Sequence, residues 1–146
     1  MMTKLNILWA SMWGAAEDVA KMTEEKAIEQ GLEVNMMEMN SVTMQNLQTM
    51  DNVAIVTSTT GHGDLPTNGE AFYSQLQKTD LKFENVKYSV CALGDTSHED
   101  FCGAGRKVDT ILSELGATSI APRHECDGDD YGSDQWADHL IKTIKG

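Results

Sequence analysis

Short apolar runs alternating with stretches of helical periodicity constrain this chain more than any other feature. Residues 5–9 are a compact apolar run, and 15–30 then repeat apolar residues at Ala16, Val19, Ala20 and Ala27, with Gly31 placed to end a helix. Over 32–38, Leu32, Val34 and Met36 alternate with Glu33 and Asn35, as in a strand with one covered face. A short helix follows around 43–50. The run 53–57 is continuously apolar, which predicts a strand covered on both faces. Phe72 and Leu76 mark a helix over 69–78, and 88–93 is another buried run. Ala104, Val108, Ile111, Leu112 and Leu115 form the clearest helical stripe, stopped by Gly116. A last strand is expected over 119–123, then a helix lined by Trp136, Leu140, Ile141 and Ile144.

Five strands alternating with helices predict an α/β fold with a doubly wound five-stranded parallel sheet and helices on both faces. The order 2-1-3-4-5 places the alternating second strand at one edge. It places Pro122, which has no N–H for a ladder, in the other edge strand. Two prolines, no repeat and no low-complexity tract leave no boundary, so residues 1–146 read as one domain.

Composition narrows the partners. A formal net charge of −12 makes a polyanion a poor ligand, so nucleic acid is not expected. The same surface suits docking to basic proteins, or simply keeps the chain soluble. No leader-like segment or long apolar stretch is apparent, which gives the expectation of a cytoplasmic protein without a membrane span. Cys91, Cys102 and Cys126 are odd in number and widely spaced, and suit reduced thiols. No spacing of His, Cys and carboxylates reads as a metal motif.

In a sheet of this order, ligands bind outside the carboxyl ends of the strands, between the first and third. The loops 10–15, 58–68 and 94–103 converge there, and all are rich in small and hydroxyl residues. The first ends at a helix start, where unpaired N–H groups and the helix dipole favour an anion. Ser11 adds a hydroxyl to that site, or alternatively caps the helix. The second, Thr57-Ser58-Thr59-Thr60-Gly61-His62-Gly63-Asp64-Leu65-Pro66, presents hydroxyls and amides able to ring a planar heterocycle, or forms a surface turn.

The third loop, Ala92-Leu93-Gly94-Asp95-Thr96-Ser97-His98-Glu99-Asp100-Phe101-Cys102-Gly103-Ala104-Gly105, makes the pattern specific. It resembles the A-L-G-D-x-S-Y-x-x-F-C-x-x-G run of the flavodoxin family, and the second loop resembles that family's S-T-x-G-x-G-D-x-P. The first loop sits where the family's phosphate loop lies. The resemblance spans almost the whole chain and is greatest to short-chain, MioC-type flavodoxins and to the FMN domains of diflavin reductases. It implies a flavodoxin-like fold and FMN as cofactor. Ser11, Met12, Trp13, Gly14, Ala15 and Ala16 would cradle the phosphate. Thr59, Thr60, Gly61, His62 and Gly63 would border the ring through their backbone. Leu93, Gly94 and Asp95, with Phe101 and Cys102, would read its pyrimidine edge. His98 would stack on the ring, and Asp127 would lie near the ring or ribityl chain.

The sequence departs from the family pattern at several of these places, and Thr60 stands where reductase domains often carry a second aromatic. Trp13 stands for the phosphate-loop threonine, Ala15 for its asparagine, and His98 for a stacking tyrosine. Two lost donors predict weakened phosphate binding, since a hydrogen bond to a charged acceptor contributes about 1.5–3 kcal/mol. The resemblance implies an electron carrier, not an enzyme, shuttling between a flavodoxin reductase and an acceptor enzyme that present basic docking surfaces. The alternatives are a flavin-dependent NAD(P)H oxidoreductase, or a binding or regulatory module with weak or lost FMN binding.

Overall fold

The computed structural model describes residues 3–12, 14–60, 63–94, 102–127 and 131–146, with Asp127 described by its backbone. The three continuously apolar runs form strands β1 (Lys4–Ala10), β3 (Asn52–Ser58) and β4 (Lys87–Gly94), each buried along nearly its whole length. Such strands need cover on both faces. The alternating segment is β2 (Glu33–Glu38), whose residues are exposed or half-buried. All pairings are parallel, β1 with β2 and β3, and β3 with β4.

Helices α1 (Ala15–Glu29) and α5 (Ser133–Lys145) cover one face, where Val19, Ala20, Ala27, Trp136, Leu140 and Ile141 pack on Leu5, Ile7 and Val56. Helices α3 (Thr67–Lys78) and α4 (Gly103–Glu114) cover the other, where Phe72, Leu76, Val108 and Leu112 meet Leu8, Ile55 and Val90. The short α2 (Met44–Gln48) starts at Thr43, whose Oγ1 accepts from the Asn46 N–H at 3.1 Å and so caps it.

The fifth position of the sheet corrects one expectation. Instead of a single strand over 119–123, two segments pair with β4: β5 (Thr118–Ser119) and β6 (His124–Asp127). Tyr88 lies opposite Ser119 and Cys91 opposite His124, so this strand carries two more residues than β4 between the same rungs. The surplus bulges out. Pro122 sits in that break, not in a strand, because it has no N–H to offer the ladder. Side chains fill the gap. The Ser89 hydroxyl donates to the Ala121 carbonyl at 3.0 Å and accepts from Trp136 Nε1 at 2.9 Å. Arg123 donates to Asp109 at 2.6 Å and to Glu125 at 3.0 Å. Burial alone would lower the Arg123 pKa, but its hydrogen bonds to both carboxylates outweigh that and raise it. The order 2-1-3-4-5 stands, with the last place shared by β5 and β6.

Candidate functional site

Parallel strands bring their carboxyl ends to one rim. Ala10 pairs with Thr57, Ser58 with Leu93, and Gly94 with Asp127, so four loops leave the sheet side by side. The first loop is organised around one hydroxyl. Ser11 Oγ accepts from the Gly14 N–H at 2.9 Å and from the Ala16 N–H at 3.3 Å. Those two bonds occupy both its lone pairs, so the hydrogen shared with Ser58 Oγ, 3.4 Å away, comes from Ser11. The Ser58 hydroxyl proton therefore stays available to another acceptor. Gly14 has φ +94°, a conformation that favours glycine, and a side chain there would meet nothing within 4 Å. Met12 is 48% exposed at the mouth of this loop.

The second loop closes on itself. Thr60 and Asp64 exchange two backbone hydrogen bonds of 2.8 Å, and the Gly63 N–H reaches the Thr60 carbonyl at 3.2 Å. Beside this turn, Thr59 is 8% exposed and its hydroxyl has no hydrogen-bond partner among the described residues. A buried hydroxyl in that state costs about 1–3 kcal/mol. Lys107 of α4 stands 3.6 Å from Asp64 and links this loop to the next element.

The third loop is described at its two ends, Leu93 and Gly94, then Cys102. Cys102 holds φ +57° at the start of α4 and is fully buried. Its thiol lies 3.4 Å from the Ala92 carbonyl and 3.8 Å from that of Cys126. Burial first, and the Glu125 charge second, push this thiol up to about 12. Its sulfur is buried against those two carbonyls, and the residue has no exposed surface. The three cysteines are distant in sequence but adjacent in space, with Cys91 Sγ 3.7 Å from Cys126 Sγ, and none is in a disulfide. The hydrogen bond between that pair, then burial, raises the Cys91 thiol.

Of the sequence candidates, Ser11, Met12, Gly14, Ala15, Ala16, Thr59, Thr60, Gly63, Leu93, Gly94 and Cys102 gather at this rim, with the backbone of Asp127 beside Gly94. Trp13, Gly61, His62, Asp95, His98 and Phe101 lie outside the described residues. Ser58 and Asn68 were not among the candidates. Ser58 was legible in its Ser-Thr-x-Gly context. Asn68, whose Oδ1 accepts from the Ser11 N–H at 3.1 Å, acts across 57 positions and leaves no local signal.

A doubly wound parallel sheet with a hydroxyl-rich helix start and a tight glycine turn at its reversal point defines a nucleotide-type binding protein of the α/β class. Comparison with known proteins gives the family. The Flavodoxin family model matches residues 7–138. A sulfite reductase [NADPH] flavoprotein alpha-component of Vibrio parahaemolyticus is 38% identical over 144 residues, 97% of this chain and 23% of that protein. Its Bacillus subtilis counterpart is 33% identical, covering 97% of this chain and 24% of its own length. The chain thus spans about a quarter of these curated relatives. A flavodoxin structure from Pseudomonas aeruginosa, a cysteine-to-alanine mutant, superimposes with a TM-score of 0.85 at 28% identity, covering 99% of this chain and 100% of that one. The chain belongs to the flavodoxin family of FMN-dependent electron-transfer proteins.

The residues present fit that cofactor. Among the described residues, a buried Thr59 hydroxyl without a partner, a Ser58 hydroxyl shared only with Ser11 and open space over a left-handed Gly14 are what an entering phosphorylated ligand would need.

Proposed function

We propose that this chain holds FMN at the rim between the loops after β1, β3 and β4, and carries electrons without a catalytic acid, base or nucleophile of its own. The bound flavin supplies the electron chemistry. The chain's residues bind and orient it. Backbone N–H groups at the start of α1 and the hydroxyl of Ser58 serve the phosphate, with Ser11 holding the loop that presents them. Thr59, Thr60 and Gly63, with Gly61 and His62, border the ring. The backbone of Leu93, Gly94, Asp95 and Cys102 reads its polar edge, Phe101, His98 and Trp13 supply aromatic surface, and Asp127 flanks it. The observation that carries this reading is the buried Thr59 hydroxyl at the start of the second loop, which has no hydrogen-bond partner among the described residues.

A reductase and an acceptor enzyme with basic docking surfaces are the proposed partners. Support comes from a charge polarity built into α1, α3 and α5, which α4 does not share. Glu17, Asp18, Glu70 and Asp134 stand in first turns, at the rim end, while Lys26, Lys78, Lys142 and Lys145 stand in last turns, at the far end. Helix dipoles favour that arrangement, and a field of this sense attracts basic partners to the rim. The match to sulfite reductase flavoprotein subunits makes an acceptor of that electron-consuming class the first to try. No helix among the described residues is long and apolar enough to cross a membrane.

The test is the visible spectrum of the purified protein, followed by FMN titration. Yellow protein, or quenching of added FMN fluorescence at a stoichiometry of one, is the expected result; neither would overturn the reading. NADPH oxidation by the protein alone would favour an oxidoreductase over a carrier.

A further inference from the structure

The structure assigns Asn68 as a positioning residue for the phosphate loop, an inference that rests on the FMN reading. Asn68 is the second residue of α3 and is half-buried. Its Oδ1 accepts the Ser11 N–H at 3.1 Å, which fixes the orientation of the first peptide of the loop. Ser11 in turn aims the rest, because its hydroxyl accepts from both the Gly14 and Ala16 N–H groups. Those two N–H groups are taken up by Ser11, so Ser11 sets the path of the loop and with it the aim of the N–H groups at the start of α1 that it does not engage.

Two further contacts hold Asn68 where it can do this. Gly69 lies so close to β1 that a Cβ there would sit 2.9 Å from Ala10 Cβ, 3.0 Å from Leu65 Cδ2 and 3.2 Å from Met39 Sδ. Only a residue without a side chain lets the start of α3 approach the end of β1 this closely. Asn40 then clamps the same helix start, donating to the Thr67 carbonyl at 2.9 Å and accepting the Phe72 N–H at 3.2 Å.

The departures in the loop raise the importance of this arrangement. With tryptophan at 13 and alanine at 15, the anion depends on correctly aimed backbone amides more than on side-chain donors. Asn68 supplies the aim from outside the loop. It need not touch the ligand.

Comparing FMN with riboflavin tests this, since riboflavin lacks the phosphate and shares the ring. Dissociation constants of both come from fluorescence quenching of the flavin by the full chain. Asn68→Ala is expected to weaken FMN about tenfold, the scale of one lost hydrogen bond, with riboflavin unchanged within about twofold. Asn68→Asp at about 0.5 M salt, where an added charge is largely screened, keeps the acceptor and is expected to recover most of the FMN preference. If Asn68→Ala does not fold, Asn68→Ser, too short to reach Ser11, gives the same comparison. Equal weakening of both flavins, or no change in either, overturns the assignment. Wild-type protein that takes up neither flavin instead overturns the FMN reading itself.

Discussion

The two sides of the rim are built on different principles. Beside β1 and β3, polar side chains do the organising: Ser11, Ser58 and Asn68 form one connected set, and Thr59 adds a hydroxyl with no partner among the described residues. Beside β4 and β6, the supports are apolar or thiol groups. Leu93, Cys91, Cys102 and Cys126 are buried, and the backbone comes close to itself. Under the proposed reading, the polar side serves the phosphate through Ser58 and the α1 amides and the ring through Thr59, whereas the apolar side borders the ring alone. The polar side is arranged to gain partners, and the apolar side to be shaped by packing.

Close packing on the thiol side makes it the more fragile. A Cβ on Gly94 would lie 2.9 Å from the Cys102 backbone nitrogen and 3.1 Å from its sulfur. The nitrogen cannot move without shifting the start of α4. Gly94→Ala is therefore expected to cost about 1–3 kcal/mol in urea unfolding, the scale of an overpacked core, and to weaken FMN and riboflavin alike. Loss of FMN binding alone would break the comparison, by placing a phosphate effect on the ring side.

Thr59→Val sharpens the polar side, because its two expected effects have opposite sign. Removing a buried hydroxyl without a partner relieves about 1 kcal/mol of desolvation cost, so the FMN-free protein should gain stability or keep it. The same change removes a group held ready for a ligand, so FMN affinity should fall several-fold. Thermal melts with and without FMN measure both. A less stable FMN-free variant would show that Thr59 already has a partner.

Most of the fold was legible because its signal is local. Apolar runs, the Leu32–Val34–Met36 alternation and the Ala104 to Leu115 stripe each report their own environment. The break at 120–123 was not, because it depends on a register between Tyr88 and Cys91 on another strand and on Trp136 and Ser89 filling the gap. The site divides in the same way. Ser11, Gly14 and the second-loop turn carry compositional marks. Asn68 acts through space, and the Cys102 thiol is set by carbonyls at Ala92 and Cys126, distant in sequence, which a residue list does not encode.

The thiol side also predicts a response to alkali. Burial raises the Cys102 thiol from an ordinary value of 9.0 to about 12, so the folded chain keeps a proton that the unfolded chain releases first. The folded state then binds more protons between those values, and stability falls as pH rises from about 9 toward 12. The loss from this group should be on the order of 1 kcal/mol at about pH 10. Urea denaturation across that range should show a shallower decline in Cys102→Ala than in wild type. Parallel slopes would mean that Cys102 ionises as freely folded as unfolded.

The smallest effect is expected where the two sides meet. Lys107 on α4 faces Asp64 of the second loop at 3.6 Å, with side chains 37% and 64% exposed. An ion pair this wet contributes at most about 0.5 kcal/mol and fades with salt. Lys107→Ala should leave unfolding midpoints nearly unchanged and alter FMN affinity less than about threefold, with the difference gone at about 1 M salt. A larger change that persists in salt would mean that the two sides are coupled through this contact. The polar and apolar halves would then act as one cradle, with the second loop set by α4 rather than by its own Thr60–Asp64 turn.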